Sequence, residues 1–316
     1  MKKLIPAFAI MLLMASCHKD EIPIQPYDRG DLLSAKVDMG DFYVNRVFFS
    51  LAEGGIEGSM EMEEWDIAFL AEADHAILND ARLMSAWQTP YENLEAADDS
   101  AGFHVDREIE VAAEILFDPA LDVLEGVYLL DLGFTALGLP KGMVWIEFKE
   151  INASAYTVAY KKYGESEITE VTIVRENASG YIYFSFRENE IVMSPPEHSW
   201  DIIFSKFTHQ FNDPPIAYLV TGVLLNPSQT VAAEYSEKAF EDISATDTSR
   251  VEWSNRPDLI GYDWKTYSFD TGTYIVAIDR TWLIRTAEGF YFKLRFTDFY
   301  DENGNAGFPS FEYRLL

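Results

Sequence analysis

The chain has 316 residues, 48% of them hydrophobic and 15% aromatic, and a formal net charge of −29 at pH 7. That apolar content suffices for a globular core, or for two of ordinary domain size, and excludes a disordered chain. The charge excludes a nucleic-acid partner, because phosphate is repelled, and leaves any membrane contact to a covalent or inserted anchor.

In chain order, Lys2 and Lys3 precede an apolar run, LIPAFAIMLLMA, followed by Ser16 and Cys17. A basic start, a short apolar core and small residues before a cut describe a signal peptide over residues 1–17. The run is too short for a bilayer-spanning helix. Cys17 is the only cysteine, so no intramolecular disulfide is possible. The stretch LMASC resembles the lipobox of bacterial lipoproteins, which implies acylation of Cys17 and anchoring by lipid chains, at about 0.8 kcal/mol per buried CH₂. Lys19-Asp20-Glu21 resembles a surface-export signal, which implies an outer-membrane lipoprotein exposed at the cell surface. Residues 18–30, with two prolines, a glycine and no apolar period, read as a tether.

The folded part is organised around a stretch that occurs twice. Arg46 to Phe69 reads RVFFSLAEGGIEGSMEMEEWDIAF, and Tyr181 to Phe204 reads YIYFSFRENEIVMSPPEHSWDIIF. Trp65 and Trp200 are 135 positions apart, and the same ungapped offset carries Phe49 onto Phe184, Ser50 onto Ser185, Glu53 onto Glu188 and Asp66 onto Asp201. Such a match indicates a duplicated unit, one over 31–165 and a second over 166–316. Alternation predicts strands at VFFSL and YIYFSF, and extended Trp-Asp-Ile-x-Phe segments with Trp65, Ile67 and Phe69 on one face. The aspartates are then expected opposite, bonded to nearby backbone amides.

After WDIAF, an acidic irregular stretch to about residue 111 reads mostly as loop, and AAEILFDPALDVLEG as holding a short helix before Pro119. MVWIEF, AYTVAY and TEVTIV read as strands. Beyond WDIIF, Pro214-Pro215 break the pattern, YLVTGVLL is extended, and EYSEKAFEDISATD forms a short helix or helical turn. In the tail, Phe290, Phe292, Leu294 and Phe296 share one face and Tyr291, Lys293, Arg295 and Thr297 the other, a half-buried antiparallel strand. DENGNAG turns it into PSFEYRLL; Asp301, Asn303, Asn305 and Glu312 have calcium-loop spacing, but Ala306 stands where such a loop needs glycine, so a hairpin turn is expected. The fold class is therefore all-β and antiparallel, with short helical turns. No nucleophile elbow, zinc motif or phosphate loop is present, so no enzyme is indicated.

Taken together, YFSF…WDIIF, YLVTGVLLNP, IGYDWKTY and EGFYFKLRFTDFYDENGNAGFPSFEY resemble the HmuY family of haem-binding lipoproteins. The resemblance covers the second unit almost end to end and the first more loosely, so the chain resembles two HmuY-like units in tandem. It implies non-covalent binding of haem or a related tetrapyrrole, and transfer to an outer-membrane receptor. It also implies two axial His or Met ligands from loops beyond the WDI strand. His75 and His209 lie there, and Met84 and His104 share the loop of His75, with Trp87 and Tyr91 as stacking walls. No His or Met follows His209, so a second ligand for unit two falls to unit one, to Met193 or His198 before the strand, or to a tyrosine such as Tyr262. The alternative is a surface binding or adhesion module of the same fold without haem ligation.

Overall fold

A computed structural model describes residues 30–97, 121 and 124–316. Apolar residues recur at alternate positions throughout, and among the described residues the helical pieces are short 3-10 turns. The chain starts with β1 (Leu33–Lys36), β2 (Asn45–Ser50), β3 (Gly55–Glu61), β4 (Ile67–Leu70), β5 (Ala76–Leu78) and β6 (Ser85–Gln88). It continues with β7 (Gly126–Asp131), β8 (Met143–Ile151), β9 (Ala155–Lys162), β10 (Thr169–Val174), β11 (Tyr181–Ser185) and β12 (Glu190–Val192). The last strands are β13 (Ile202–Asn212), β14 (Pro215–Leu225), β15 (Val231–Tyr235), β16 (Lys265–Ser268), β17 (Thr273–Val276), β18 (Thr281–Arg285), β19 (Tyr291–Tyr300) and β20 (Ala306–Leu315). The fold is all-β and every strand pair is antiparallel.

Four larger sheets pack as two sandwiches. The sheet β1-β20-β19-β18-β15 faces the sheet β14-β13-β2-β3, and a cluster including Phe49, Phe204, Trp264, Trp282, Phe296 and Phe311 fills the space between them. The sheet β10-β9-β8-β7-β6 faces β12-β11-β4-β5 over a second cluster that holds Phe69, Tyr156, Ile146 and Phe184. The second sandwich therefore comes from one continuous stretch, and the first from chain on both sides of it. β9 and β10 pair directly across residue 165, so the sheets divide the chain elsewhere than between 31–165 and 166–316.

The repeated stretch lies where the chain crosses between sandwiches, and its two copies exchange partners. β4 of the first copy pairs with β11 of the second, Ile67 opposite Phe184. β13 of the second pairs with β2 of the first, Ile202 opposite Phe49. Each tryptophan marks a crossing, and the alternation predicted for Trp65, Ile67 and Phe69 holds only from Ile67 onward. Ile67 and Phe69 enter a sandwich core, whereas Trp65 packs on the opposite side with Phe48, Ala68, Tyr183, Trp200 and Ile203. The strand starts at Ile67, so the two-residue period does not extend back to position 65. Trp65 meets Tyr183 edge-on at 4.8 Å and Trp200 meets Phe48 at 5.2 Å, the same contact made twice. Burial of each indole contributes about 3 kcal/mol.

The aspartates inside the repeat do bond backbone amides, but across the exchange. Asp66 accepts the Phe186 N–H at 2.7 Å and Asp201 accepts the Leu51 N–H at 2.7 Å. Ser50 and Ser185 accept the N–H groups of Glu53 and Glu188, which closes each hairpin turn in the same way.

The expected loop after WDIAF contains β5 and β6, and the rest of its run, with the helix expected before Pro119, lies largely outside the described residues. The predicted helical turn near 240 is two 3-10 pieces, Phe240–Asp242 and Ala245–Arg250. That segment covers the face of β19 expected to meet solvent, where Lys293 is buried and donates to the Phe240 carbonyl. In the DENGNAG turn Asp301 accepts the Asn303 and Asn305 N–H groups, and Glu312 pairs with Arg295.

Candidate ligand-binding site

The hairpins that follow the two tryptophans differ in length, and the difference builds a cleft. Asn79 and Asn226 hold equivalent places: each donates to the carbonyl of its own tryptophan, at 2.8 and 2.9 Å. They are 147 positions apart, against 135 for the tryptophans, so the second hairpin is the longer one. β4 has 4 residues and β13 has 11. β13 pairs with β2 only through Ile202, Ile203 and Phe204, and beyond that point β13 and β14 continue as a two-stranded ribbon. Its far edge, on β14, meets a return loop at one bridge, where Val223 and Gly261 exchange backbone hydrogen bonds of 2.9 and 3.0 Å. Gly222 permits that approach, since a Cβ there would lie 2.2 Å from the Gly261 carbonyl oxygen. The loop brings Tyr262 onto the ribbon.

The ribbon, the hairpin β16–β17 and the segments around Phe42 and Phe134 enclose a cleft of about 960 Å³, mainly apolar. Phe211, Tyr218, Tyr262, Phe269 and Tyr274 are among its walls. Phe269 is 91% exposed and Phe42 63%, a large aromatic surface to leave in water. Two cations reach it. Lys206 lies 5.8 Å from the Tyr43 ring centroid. Lys265 is buried over Trp264 at 4.4 Å and Phe299 at 4.7 Å, and burial lowers its pKa to about 7.

His209 lies behind the wall of this cleft rather than on its lining, inside a strand rather than in the loop expected beyond WDIIF. Its ring lies 4.8 Å from Phe211 and 4.8 Å from Tyr262, both of which line the cleft, and Tyr218 is its cross-strand partner. Burial pushes its pKa down, against the pull of Asp258 and Asp263, which favours the neutral imidazole. His75 follows β4 in the shorter hairpin, its ring 6.1 Å from that of Tyr181. Met84 is 5% exposed in the core of the second sandwich, its sulfur 2.8 Å from Nη2 of Arg82. Neither lines the cleft. Met193 and His198 are exposed. Trp87 and Tyr91 pack beside Trp145 in a small satellite core. His104 and Cys17 lie outside the described residues.

Sequence reasoning missed Lys265 and the aromatic residues of β16–β17 as site residues. The signal was there in TYSF, where Tyr267 and Phe269 alternate next to a turn that has no core to cover them. It also missed Arg82, the partner of Met84.

These features define an all-β protein with two strand-exchanged sandwiches and a ligand-sized aromatic cleft on one of them. Residues 177–313 match the family model described as HmuY protein. The matched stretch supplies β11 to β19 and most of β20, and with them most of the cleft. Among solved structures, the chain is similar to the apo HmuY analog of Tannerella forsythia, at 10% identity and a TM-score of 0.34, covering 91% of this chain and 98% of that one. It is also similar to apo PinO of Porphyromonas gingivitis, at 8% identity and a TM-score of 0.30, covering 91% and 98%. A search of curated proteins gives no match. Among the described residues no helix is long and apolar enough to cross a membrane.

Proposed function

We propose that this protein is a non-enzymatic binder of haem or a related tetrapyrrole, held non-covalently in the aromatic cleft. The observation that carries the reading is the aromatic cleft, large enough for a flat ring system, with the His209 ring packed behind two of its walls, Phe211 and Tyr262. Haem iron takes a neutral imidazole as axial ligand, and His209 offers one; burial raises the pKa of Tyr262 beside it, which keeps that side chain a phenol able to donate a hydrogen bond. Phe211, Tyr218 and Phe269 provide ring faces for the porphyrin, and Lys206 a cation for its carboxylates. With Cys17 acylated, the cleft would be carried at the outer-membrane surface, which suits capture and transfer to a receptor. Incorporation of radiolabelled palmitate, abolished in Cys17→Ser, tests the anchor.

The test of binding is a titration with haem, read in the Soret band. A shifted band is expected, and His209→Ala should change its position and weaken binding by about tenfold or more. An unshifted Soret band, or one indifferent to both His209→Ala and Tyr262→Phe, overturns the reading. A specific observation favours one alternative: the residues lining the cleft include neither His nor Met. In that case the exposed aromatic walls serve a surface binding or adhesion module, and haem leaves no Soret signature.

A further inference from the structure

A second cavity, of about 460 Å³, opens at the junction of the two sandwiches. It lies between the two copies of the repeat, and its walls come in pairs related by the 135-residue offset: Trp65 with Trp200, and Phe48 with Tyr183. The local equivalence fails at its two ends. At one end stand Arg46 and Asp80, joined as an ion pair. Their counterparts at the other end, which also line the cavity, are Tyr181 and Pro227. A nearly symmetric aromatic box thus has the Arg46–Asp80 ion pair at one end and, at the other, Tyr181 and Pro227 with the Glu197 carboxylate beside them, where it accepts from Ser228 Oγ.

We propose that this cavity binds a small uncharged ring compound between its aromatic walls, with an oxygen-bearing end at Arg46. Arg46 is 5% exposed, carries its charge into the cavity wall and also lies 5.5 Å from the Trp65 ring centroid. One carboxylate does not saturate the five N–H groups of a guanidinium, so an acceptor oxygen arriving there gains a charge-assisted hydrogen bond. An ion is not what the site selects. The lining holds Arg46 and Arg256 against Asp80 and Glu197, two charges of each sign, and an ionic ligand would have to compete with the Arg46–Asp80 pair. A free sugar fits poorly, because its many hydroxyl groups would face the aromatic walls. What remains is a flat, mostly apolar molecule with a carbonyl or ether oxygen at one end.

Coumarin, a planar lactone, and naphthalene, its oxygen-free analogue in size, are the probes, titrated calorimetrically into the full-length chain. Coumarin should bind with a Kd below about 1 mM, and naphthalene about five- to tenfold more weakly, the effect of one charge-assisted hydrogen bond. Arg46→Met should bring coumarin to the naphthalene level. Ser194→Trp, at the cavity rim, should block both probes while leaving the far-ultraviolet circular dichroism and the haem titration unchanged. If Arg46→Met unfolds, the rim variant and the comparison of probes decide. No coumarin binding, equal affinity for the two probes, or binding indifferent to Ser194→Trp overturns the proposal.

Discussion

Asp66 and Asp201 occupy equivalent places in the two halves of the repeat, and each accepts a backbone N–H from the hairpin of the other copy. They differ in what faces the second oxygen. Asp66 meets the fully buried guanidinium of Arg82 at 2.6 Å. Among the described residues no such cation pairs with Asp201, and burial raises its pKa to about 6. The backbone frame of the duplication has survived in both copies, whereas charge compensation has been settled separately in each. A carboxylate aimed at an amide is part of the fold; the cation beside it is optional.

The largest effect expected from this contrast is at Asp66. Asp66→Asn strands Arg82, 0% exposed, as a buried charge without its partner, and should cost about 3–5 kcal/mol in urea unfolding. Replacing both residues, as Asp66→Asn with Arg82→Met, should recover much of that loss, because no unpaired charge remains. Asp201→Asn, with no cation to strand, should cost clearly less than Asp66→Asn. Equal losses at the two positions would break the comparison.

The next effect is one of pH. The folded-state pKa of Asp201 lies above its unfolded value, so the folded state binds the proton more tightly. The favourable contribution is complete below the unfolded pKa of about 4 and is lost as pH rises through the folded value, about 6. Wild-type stability relative to Asp201→Asn should therefore rise by about 3 kcal/mol at most as pH falls from 7 to 4. Paired denaturation curves at several pH values give the difference directly and cancel the relief of general charge repulsion. A flat difference would mean that Asp201 is solvated or paired after all.

Much of the frame was legible in the sequence. VFFSL, YIYFSF, MVWIEF, AYTVAY and the aromatic tail are strands because their apolar residues alternate, and the ungapped offset located the repeat. The exchange was not legible, since an offset states which segments are alike and is silent on which one pairs with which. Pairing β2 with β4 would satisfy the same pattern as pairing β2 with β13. The cleft was half legible: His209 was picked out by its distance from Trp200, but its place in a strand was hidden by Pro214-Pro215, which read as a break and prove to close a hairpin. Met84, flanked by Leu83 and near Trp87, was open to reading as core or as ligand; its sulfur's contact with the buried Arg82 was not legible.

The smallest expected effect tests the sameness of the two halves. Asn79 donates to the carbonyls of Met62 and Trp65, and its side-chain oxygen accepts the Ala81 N–H. Asn226 does the same for Glu197, Trp200 and Ser228. Both asparagines are fully buried, so alanine at either site leaves two carbonyls and an N–H without their partner, at about 2 kcal/mol. The hairpins between tryptophan and asparagine differ in length and only the longer one carries the cleft, yet neither asparagine touches that added length. Asn79→Ala and Asn226→Ala should therefore be equally destabilising, within about 0.5 kcal/mol, and their effects should add in the double variant. Unequal losses would mean that the ribbon feeds back on the turn that holds it, and that binding in the cleft is coupled to the crossing between sandwiches. Equal losses would mean that the cleft was built by lengthening one hairpin on an otherwise unchanged hinge.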